Sequence, residues 1–400
     1  MSNMNRIKSL ISRLCPNGVE YKKLGEIGTF TRGSGIQKKD FVEDGKPCIH
    51  YGQVYTYYGL SASETKSFIS DALYAGRRKA NKDDLIIATT SENEEDVCKC
   101  VAWLGNEPCA VSGDAYIFSH EQDSKYLAYL FCSSQFQEQK KRYITGTKVL
   151  RVSGDDMAKI ELPFPPLDIQ HEIVRILDSF VELEAELEAE LEARRMQYTY
   201  YRDQLLSREN LEIMASMPID LRPLSDVLEM KAGIHIPASK IHPRQTDESP
   251  YPCYGGNSLR GYVASPNQNG DKILIGRQGA LCGNICAASG HFYATEHAIV
   301  STCSNELLPR YAFHMLTNAN LNQYKSQGAQ PGLAVGNLKQ VEFPIPPLPV
   351  QQQVVDVLDR FDALTSSLTD GLPAEIEARR RQYEFYRDRL LDFPRREVDS

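Results

Sequence analysis

The chain carries the same helical segment twice, and that repeat constrains its architecture more than any other feature. Residues 160–180 (IELPFPPLDIQHEIVRILDSF) align without gaps on 341–361 (VEFPIPPLPVQQQVVDVLDRF), with 10 of 21 positions identical at an offset of 181. Residues 192–206 (EARRMQYTYYRDQLL) align on 377–391 (EARRRQYEFYRDRLL), with 11 of 15 identical at an offset of 185. The offset grows by four between the two blocks, which predicts one extra helical turn in the second copy, around residues 371–374.

Each copy opens on prolines (Pro163, Pro165, Pro166; Pro344, Pro346, Pro347) that remove donors and force extended backbone before a helix begins. Apolar side chains then recur at steps of three and four. In the first copy they form a seam through Ile176, Phe180, Leu183, Leu187, Leu191 and Tyr198. In the second the seam runs through Val357, Phe361, Leu364, Leu368, Ile376 and Tyr383. A helix of about 38 residues rises ~57 Å, longer than a globular domain needs, so the two copies are expected to pair as an antiparallel coiled coil. Pro373 is expected to kink the second helix or to start a new one after Gly371. The glutamates from Glu182 to Glu192 read as the solvated face of the first helix.

The segments between the repeats, 20–160 and 211–342, begin alike (KKLGEIGTFTRGSGI; RPLSDVLEMKAGIHI) and are otherwise weakly similar. Short β-branched and aromatic runs broken by Gly, Pro and Asn predict mixed α/β (α+β) domains. The order is an N-terminal helix or arm (1–19), a globular domain (20–160), helix one (161–210), a second globular domain (211–342), then helix two and a tail (343–400). That is a pseudo-twofold internal repeat.

The net charge of −8 is uneven. Residues 1–160 hold 22 Lys+Arg against 20 Asp+Glu, 161–210 hold 5 against 12, 211–342 hold 10 against 10, and 343–400 hold 8 against 11. The acid sits in the helices, and the near-neutral domains retain basic clusters able to face phosphates. Ten cysteines in 400 residues are too dilute for a disulfide scaffold, and Cys98/Cys100 and Cys282/Cys286 have no second pair at zinc spacing, so no metal is expected. No window approaches the ~18 uncharged apolar residues of a membrane helix, and residues 1–20 lack a signal peptide's features; a cytoplasmic location is expected.

No phosphate cradle or dinucleotide turn is present, and Ser249-Pro250-Tyr251-Pro252 has Tyr where a base-flipping methyltransferase motif would have a second Pro. Glu94, Glu95 and Asp96 read as a solvated loop rather than an acid/base pair. No catalytic residue is assigned. Two polar, aromatic regions remain. In the first domain Tyr51, Gln53 and Tyr55, then Arg77, Arg78 and Lys79, then Asn93 combine base-edge partners with phosphate partners. In the second, Tyr254, Asn257, Arg260, Arg277 and Gln278 lie beside glycines that permit close backbone approach. Ordinary polar turns would have the same composition, so these residues are candidates for DNA contact.

Several of these stretches together resemble the DNA-specificity (S) subunits of type I restriction-modification systems: LCPNGVEYKKLGEI at 14–27, the two PPL-x-x-Q-x-x-[IV]-V-x-[IV]-LD segments with Gln170 and Gln351, the paired EARR-x-QY-x-[YF]-YRD-x-LL helix ends, and the loops GGNSLRGYV and ILIGRQG. The resemblance covers nearly the whole chain. It implies two target recognition domains, each reading one half of a bipartite double-stranded DNA sequence, with conserved helices that set the spacer and dock two modification (methyltransferase) subunits. It further implies a non-catalytic chain without cofactor of its own. S-adenosylmethionine, and ATP with Mg for restriction, would belong to partner subunits, including a restriction (translocase-nuclease) subunit where one exists. The competing readings are a coiled-coil organiser that does not touch DNA and a diverged DNA-modifying enzyme.

Overall fold

A computed structural model describes residues 2–256, 258–279, 282–326, 332–367 and 369–396. The chain divides into two compact units, one of residues 1–186 with 376–400 and the other of residues 187–375. Six helices carry the layout: α1 (Ser2–Leu14), α2 (Ser124–Cys132), α3 (Leu167–Leu205), α4 (Pro309–Asn318), α5 (Leu348–Ser366) and α6 (Leu372–Leu391). Each unit therefore holds one globular domain together with part of each repeat: the first half of α3 with α6 in one, the second half of α3 with α5 in the other.

In the first unit the strands β1 (Gly28–Arg32), β2 (Lys46–Ile49), β3 (Leu85–Ala88), β4 (Lys99–Trp103), β5 (Cys109–Val111) and β6 (Ala115–His120) build two sheets. One has the order β1-β6-β3-β4 with Ser61–Ala62 on its edge; the other places β2 beside β5, with Phe41–Val42, Ser67–Ile69 and Lys79–Ala80 around them. All four residues of β3 (LIIA) are buried because both of its faces are covered. Leu85 and Ile87 join a core with Tyr126, Leu127 and Leu130 of α2, whereas Ile86 and Ala88 join Val54, Val101 and Trp103 on the other side. Each such aliphatic side chain contributes roughly 1.5–3 kcal/mol on burial.

The second unit repeats this plan with β7 (Leu228–Ala232), β8 (Tyr251–Tyr254), β9 (Lys272–Gly276), β10 (Ile285–Ala288), β11 (His291–Ala294) and β12 (Ala298–Cys303). Its first sheet has the order β7-β12-β9-β10, and its second places β8 beside β11, between Leu259–Val263 and Gln268–Asn269. The same parallel pairing stands at the centre of both second sheets: Cys48 opposite Ala110 and Ile49 opposite Val111 in one, Cys253 opposite Tyr293 and Tyr254 opposite Ala294 in the other.

Each domain is fastened to its helix by the residues that the repeat shares. The buried amide of Gln170 accepts from the Asp123 backbone N–H at 3.1 Å and donates to the Pro165 carbonyl at 2.7 Å. Gln351 accepts from Leu308 N–H at 2.9 Å and donates to the carbonyls of Pro346 and Glu306. Asp178 takes hydrogen bonds from Lys125 and Tyr129; the equivalent Asp359 faces Arg310 and His314. The helix pairing is likewise duplicated. Phe180 stacks on Tyr386 at 5.6 Å in the first unit, where Glu184 meets Arg380 and so makes α3 antiparallel to α6; Phe361 stacks on Tyr201 at 5.5 Å in the second.

The second copy departs from expectation in two ways. Its four additional residues do not add a turn: α5 ends at Ser366 and α6 begins at Leu372. In between, the Ser367 hydroxyl accepts from Asp370 N–H, and a Cβ on Gly371 would stand 2.7 Å from the Ala363 carbonyl, so glycine lets the chain cross the end of α5. Pro373 then lies in the first turn of α6, where no donor is missed. The expected seam is also corrected at Val357 and Leu364, each 38% exposed, while Leu358 is fully buried and Thr365 nearly so. The reason is periodicity: α5 packs on its own domain through Val350, Val354, Val355 and Leu358, a straight-helix stripe of ~3.6 residues that a strict heptad outruns. Leu183, Leu187, Leu191, Phe180, Phe361, Tyr198 and Tyr383 are half-buried, and Ile176 and Ile376 are buried. Leu368 lies outside the described residues.

Candidate nucleic-acid interface

Two loop clusters, one per domain, are built on the same backbone scheme. After β1 the chain passes so close to the turn following β5 that a Cβ on Gly33 would lie 2.1 Å from the Ser112 carbonyl; after β7 a Cβ on Gly233 would lie 2.2 Å from that of Thr295. Gly33 N–H donates to Ala115 and Gly233 N–H to Ala298, Ser34 to Val111 and Ile234 to Ala294, Thr89 to Asp114 and Arg277 to His297. The side chains on these matched frames are unlike. Position by position, Ser34 corresponds to Ile234, Asp114 to His297, and Thr89 to Arg277.

In the first domain Arg78 donates through Nη1 to the Arg32 carbonyl at 2.6 Å, and its N–H donates to Ser34 Oγ at 2.9 Å. Arg32 in turn donates from Nε to the Gly113 carbonyl at 2.8 Å and lies 3.7 Å from Asp114. Arg32 and Asp114 border a polar depression of about 260 Å³, also lined by Thr89, Thr90, Thr145, Arg151 and Ser153. Arg151 is exposed and held in place by the pairing of Leu150–Arg151 with Thr90–Ser91. Two guanidinium groups beside hydroxyls in an open depression suit a phosphodiester. Arg32 and Arg151 lay outside the sequence-based selection because Arg151 stands 119 positions from Arg32 along the chain and only strand pairing brings the two to one depression.

The other first-domain candidates fall into distinct roles. Tyr51–Thr56 is a short helix capped by His50, whose Nδ1 accepts from Gly52 N–H, while Gln53 closes the cap through His50 N–H and donates to Ser67 Oγ at 2.6 Å. Burial, reinforced by Lys38, lowers the His50 pKa, which keeps the capping nitrogen available as acceptor. Gln53 is thus engaged locally. Tyr51 packs on His50, and the Tyr55 hydroxyl donates to the Thr90 carbonyl at 2.7 Å, tying the aromatic helix to the loop after β3. Lys79 lies over the Tyr74 ring, Arg77 Nε is buried without a hydrogen-bond partner, and Asn93 forms a turn with Asp96.

In the second domain His235 Nδ1 lies 2.7 Å from Glu296 Oε1, and His297 stands between Glu296 at 3.4 Å and Gln278 at 3.0 Å. Burial pulls the Glu296 pKa up, but His235 and His297 outweigh it and hold the carboxyl below its usual range. Gln278 thereby joins a cluster that sequence reading did not include. Arg260 is exposed on the strand Leu259–Val263, Arg277 is half-buried at the end of β9, and Tyr254 packs edge-on against Phe292. Asn257 lies outside the described residues. Among the described residues no three His, Cys, Asp or Glu side chains are grouped to hold a metal ion, and no helix is long and apolar enough to cross a membrane.

The duplicated domain has counterparts among known proteins. The family model for the type I restriction modification DNA specificity domain matches residues 16–193 and again 218–378. The chain is 40% identical over 388 residues to the EcoprrI specificity subunit of Escherichia coli, covering 92% of this chain and 93% of that one. It is 28% identical to the EcoR124I/EcoR124II specificity subunit of Escherichia coli over the full length of both. Among solved structures, the type I restriction-modification S subunit of M. genitalium superposes with a TM-score of 0.59 at 16% identity, covering 94% of this chain and 96% of the other. A chain from a study of assembly and conformational transition of the type I system gives 0.58 at 17% identity, covering 94% and 98%.

Proposed function

The chain belongs to the type I restriction-modification DNA-specificity family, and from that premise we propose that each of its two domains reads one half of a bipartite double-stranded DNA target. The observation that carries this reading is the pair of loop clusters: equivalent backbone frames anchored on Gly33 and Gly233, bearing different polar side chains, are what two readers of two different half-sites require. In the first domain Arg32, Arg78 and Arg151 hold phosphate, which fixes register without reading sequence. In the second, Arg260, Arg277 and Gln278 face base edges, where Arg suits guanine and Gln suits adenine.

The helices set the number of unread base pairs between the halves and dock two modification subunits. Methyl transfer from S-adenosylmethionine to adenine takes place on those subunits, and ATP with Mg serves a restriction subunit where one assembles. This chain contributes recognition and no catalytic group, in the cytoplasm. That its relatives are named specificity subunits favours this reading over a helical organiser or a modifying enzyme.

The test is methylation mapping in cells that express the modification partner with and without this chain. A split motif with unlike halves and a fixed gap should become adenine-methylated only when the chain is present. Absence of any such motif, with partner expression verified, would overturn the proposal.

A further inference from the structure

A buried cation shapes one of the two readers and not the other. Lys140, on the helix Ser134–Lys141, is 1% exposed. Its Nζ donates to the carbonyls of Glu94 at 2.7 Å and Val97 at 2.9 Å, to Gln137 Oε1, and at longer range to the Glu95 carbonyl at 3.4 Å. A buried ammonium is tolerated only where its donors are met. Here they are met mainly by backbone oxygens of one short loop, so those carbonyls are turned inward around a single charge.

That loop belongs to the candidate interface. It leaves β3 at Thr89, offers the Thr90 carbonyl to Tyr55, pairs Ser91 with Leu150 beside Arg151, and returns at Cys98, whose N–H donates to Ala88 from a left-handed conformation at φ +68°. Its tip is closed by Asn93 and Asp96, each hydrogen-bonded to the other. One side of the loop is thus held by the interface and the other by Lys140. The offset of 185 that relates Tyr126 to Tyr311 carries Lys140 onto Lys325, which is exposed, so the second domain has no counterpart at that position.

We propose that Lys140 is a positioning residue for recognition, setting the shape of the 89–97 loop and hence the base discrimination of the first domain alone. This rests on the reading of the first domain as a DNA reader. Removing the amine leaves the Glu94 and Val97 carbonyls without this donor, and the loop must rearrange to satisfy them.

The experiment compares assembled complexes of this chain and its modification subunits on DNA carrying single base substitutions in each half-site. If wild type discriminates in neither half, the reading of the domains as DNA readers fails, and Lys140 with it. Given wild-type discrimination in both halves, Lys140→Met should lower it about tenfold in one half and leave the other unchanged, a loss on the scale of a disrupted base contact. Lys325→Met should change neither. Should Lys140→Met not fold, Gln137→Ala removes one acceptor with the lysine in place and should give a smaller loss, about threefold, in the same half. Wild-type discrimination retained by folded variants, or equal loss in both halves, overturns the assignment.

Discussion

Nε2 of His314, a side chain with no exposed surface, lies 2.7 Å from Oδ1 of Asp359. In the first copy the corresponding pair is Tyr129 and Asp178, also at 2.7 Å. One copy thus joins domain to helix through an imidazole and the other through a phenol. Burial, with help from Arg310, lowers the His314 pKa despite the opposing hydrogen bond to Asp359. The groups facing this imidazole are Asp359, Arg310, Asp362 and the Tyr198 hydroxyl.

The folded histidine therefore resists protonation, whereas the unfolded one takes up a proton near pH ~6.5. Its contribution is present above that value and lost as pH falls below it. Asp359 is also held low, because Arg310 and His314 outweigh the effect of its burial, so its own contribution fades only below about pH 4. Thermal unfolding of the second unit should show a lower transition at pH 5.5 than at pH 7.5. His314→Gln should remove the difference; an unchanged difference would locate the acid sensitivity elsewhere.

Gln351→Leu leaves the Leu308 N–H and the Pro346 and Glu306 carbonyls without their partner, and Gln170→Leu does the same to Asp123 N–H and the Pro165 carbonyl. Each substitution should destabilise its own unit by about 2–4 kcal/mol. In denaturant titrations followed by probes in each domain, one transition should move while the other stays.

Arg151→Ala and Arg32→Ala remove charges from the polar depression. Binding by the assembled complex should weaken to a similar extent on all sequences, with the slope of log K against log salt falling by about 0.9 for each phosphate that is no longer neutralised. Gln278→Ala should instead relax preference at one base pair at a cost of roughly 1–3 kcal/mol in discrimination. A sequence-dependent effect of Arg151→Ala would make that residue a base reader.

Tyr200 and Phe385 project from the repeats at 62% and 59% exposure. They occupy equivalent positions of the two copies, 185 residues apart, and on the proposed reading are candidates for the docking face. Tyr200→Glu or Phe385→Glu should leave thermal stability nearly unchanged and reduce capture of the modification subunits at least tenfold, measured by co-purification and calorimetry. Full retention by both variants would move the docking face elsewhere.

The repeat was legible because residues such as Gln170 and Gln351, Asp178 and Asp359, and Phe180 and Phe361 occupy the same places in both copies and so resist change. Which groups they meet was not legible, since the Gln170 partner at Asp123 lies 47 positions away. The likeness of the two domains was nearly invisible, because a buried strand needs only apolar bulk: LIIA and KILIG fill equivalent places with few shared letters. The candidate interface was partly legible. Arg78 and Gln278 fall within it, but Gln53 is drawn into a helix cap, and Arg32, Arg151, His235 and His297 enter only through strand pairing. Val357 and Leu364 show the limit of a heptad reading where a helix must also lie on a globular core.

The first unit is closed by residues 376–396, through links such as the Tyr21 hydroxyl on the Phe393 carbonyl and the bridge between Val19 and Arg395. On a ribosome, the first unit is therefore completed by a segment made only after all of residues 187–375, whereas the second unit is one contiguous stretch. Order of synthesis and order of completion run opposite ways. Products that stop short of residue 390 would leave uncovered the apolar surface of Leu127, Leu130 and Ile176 that Leu390, Leu391 and Phe393 otherwise share.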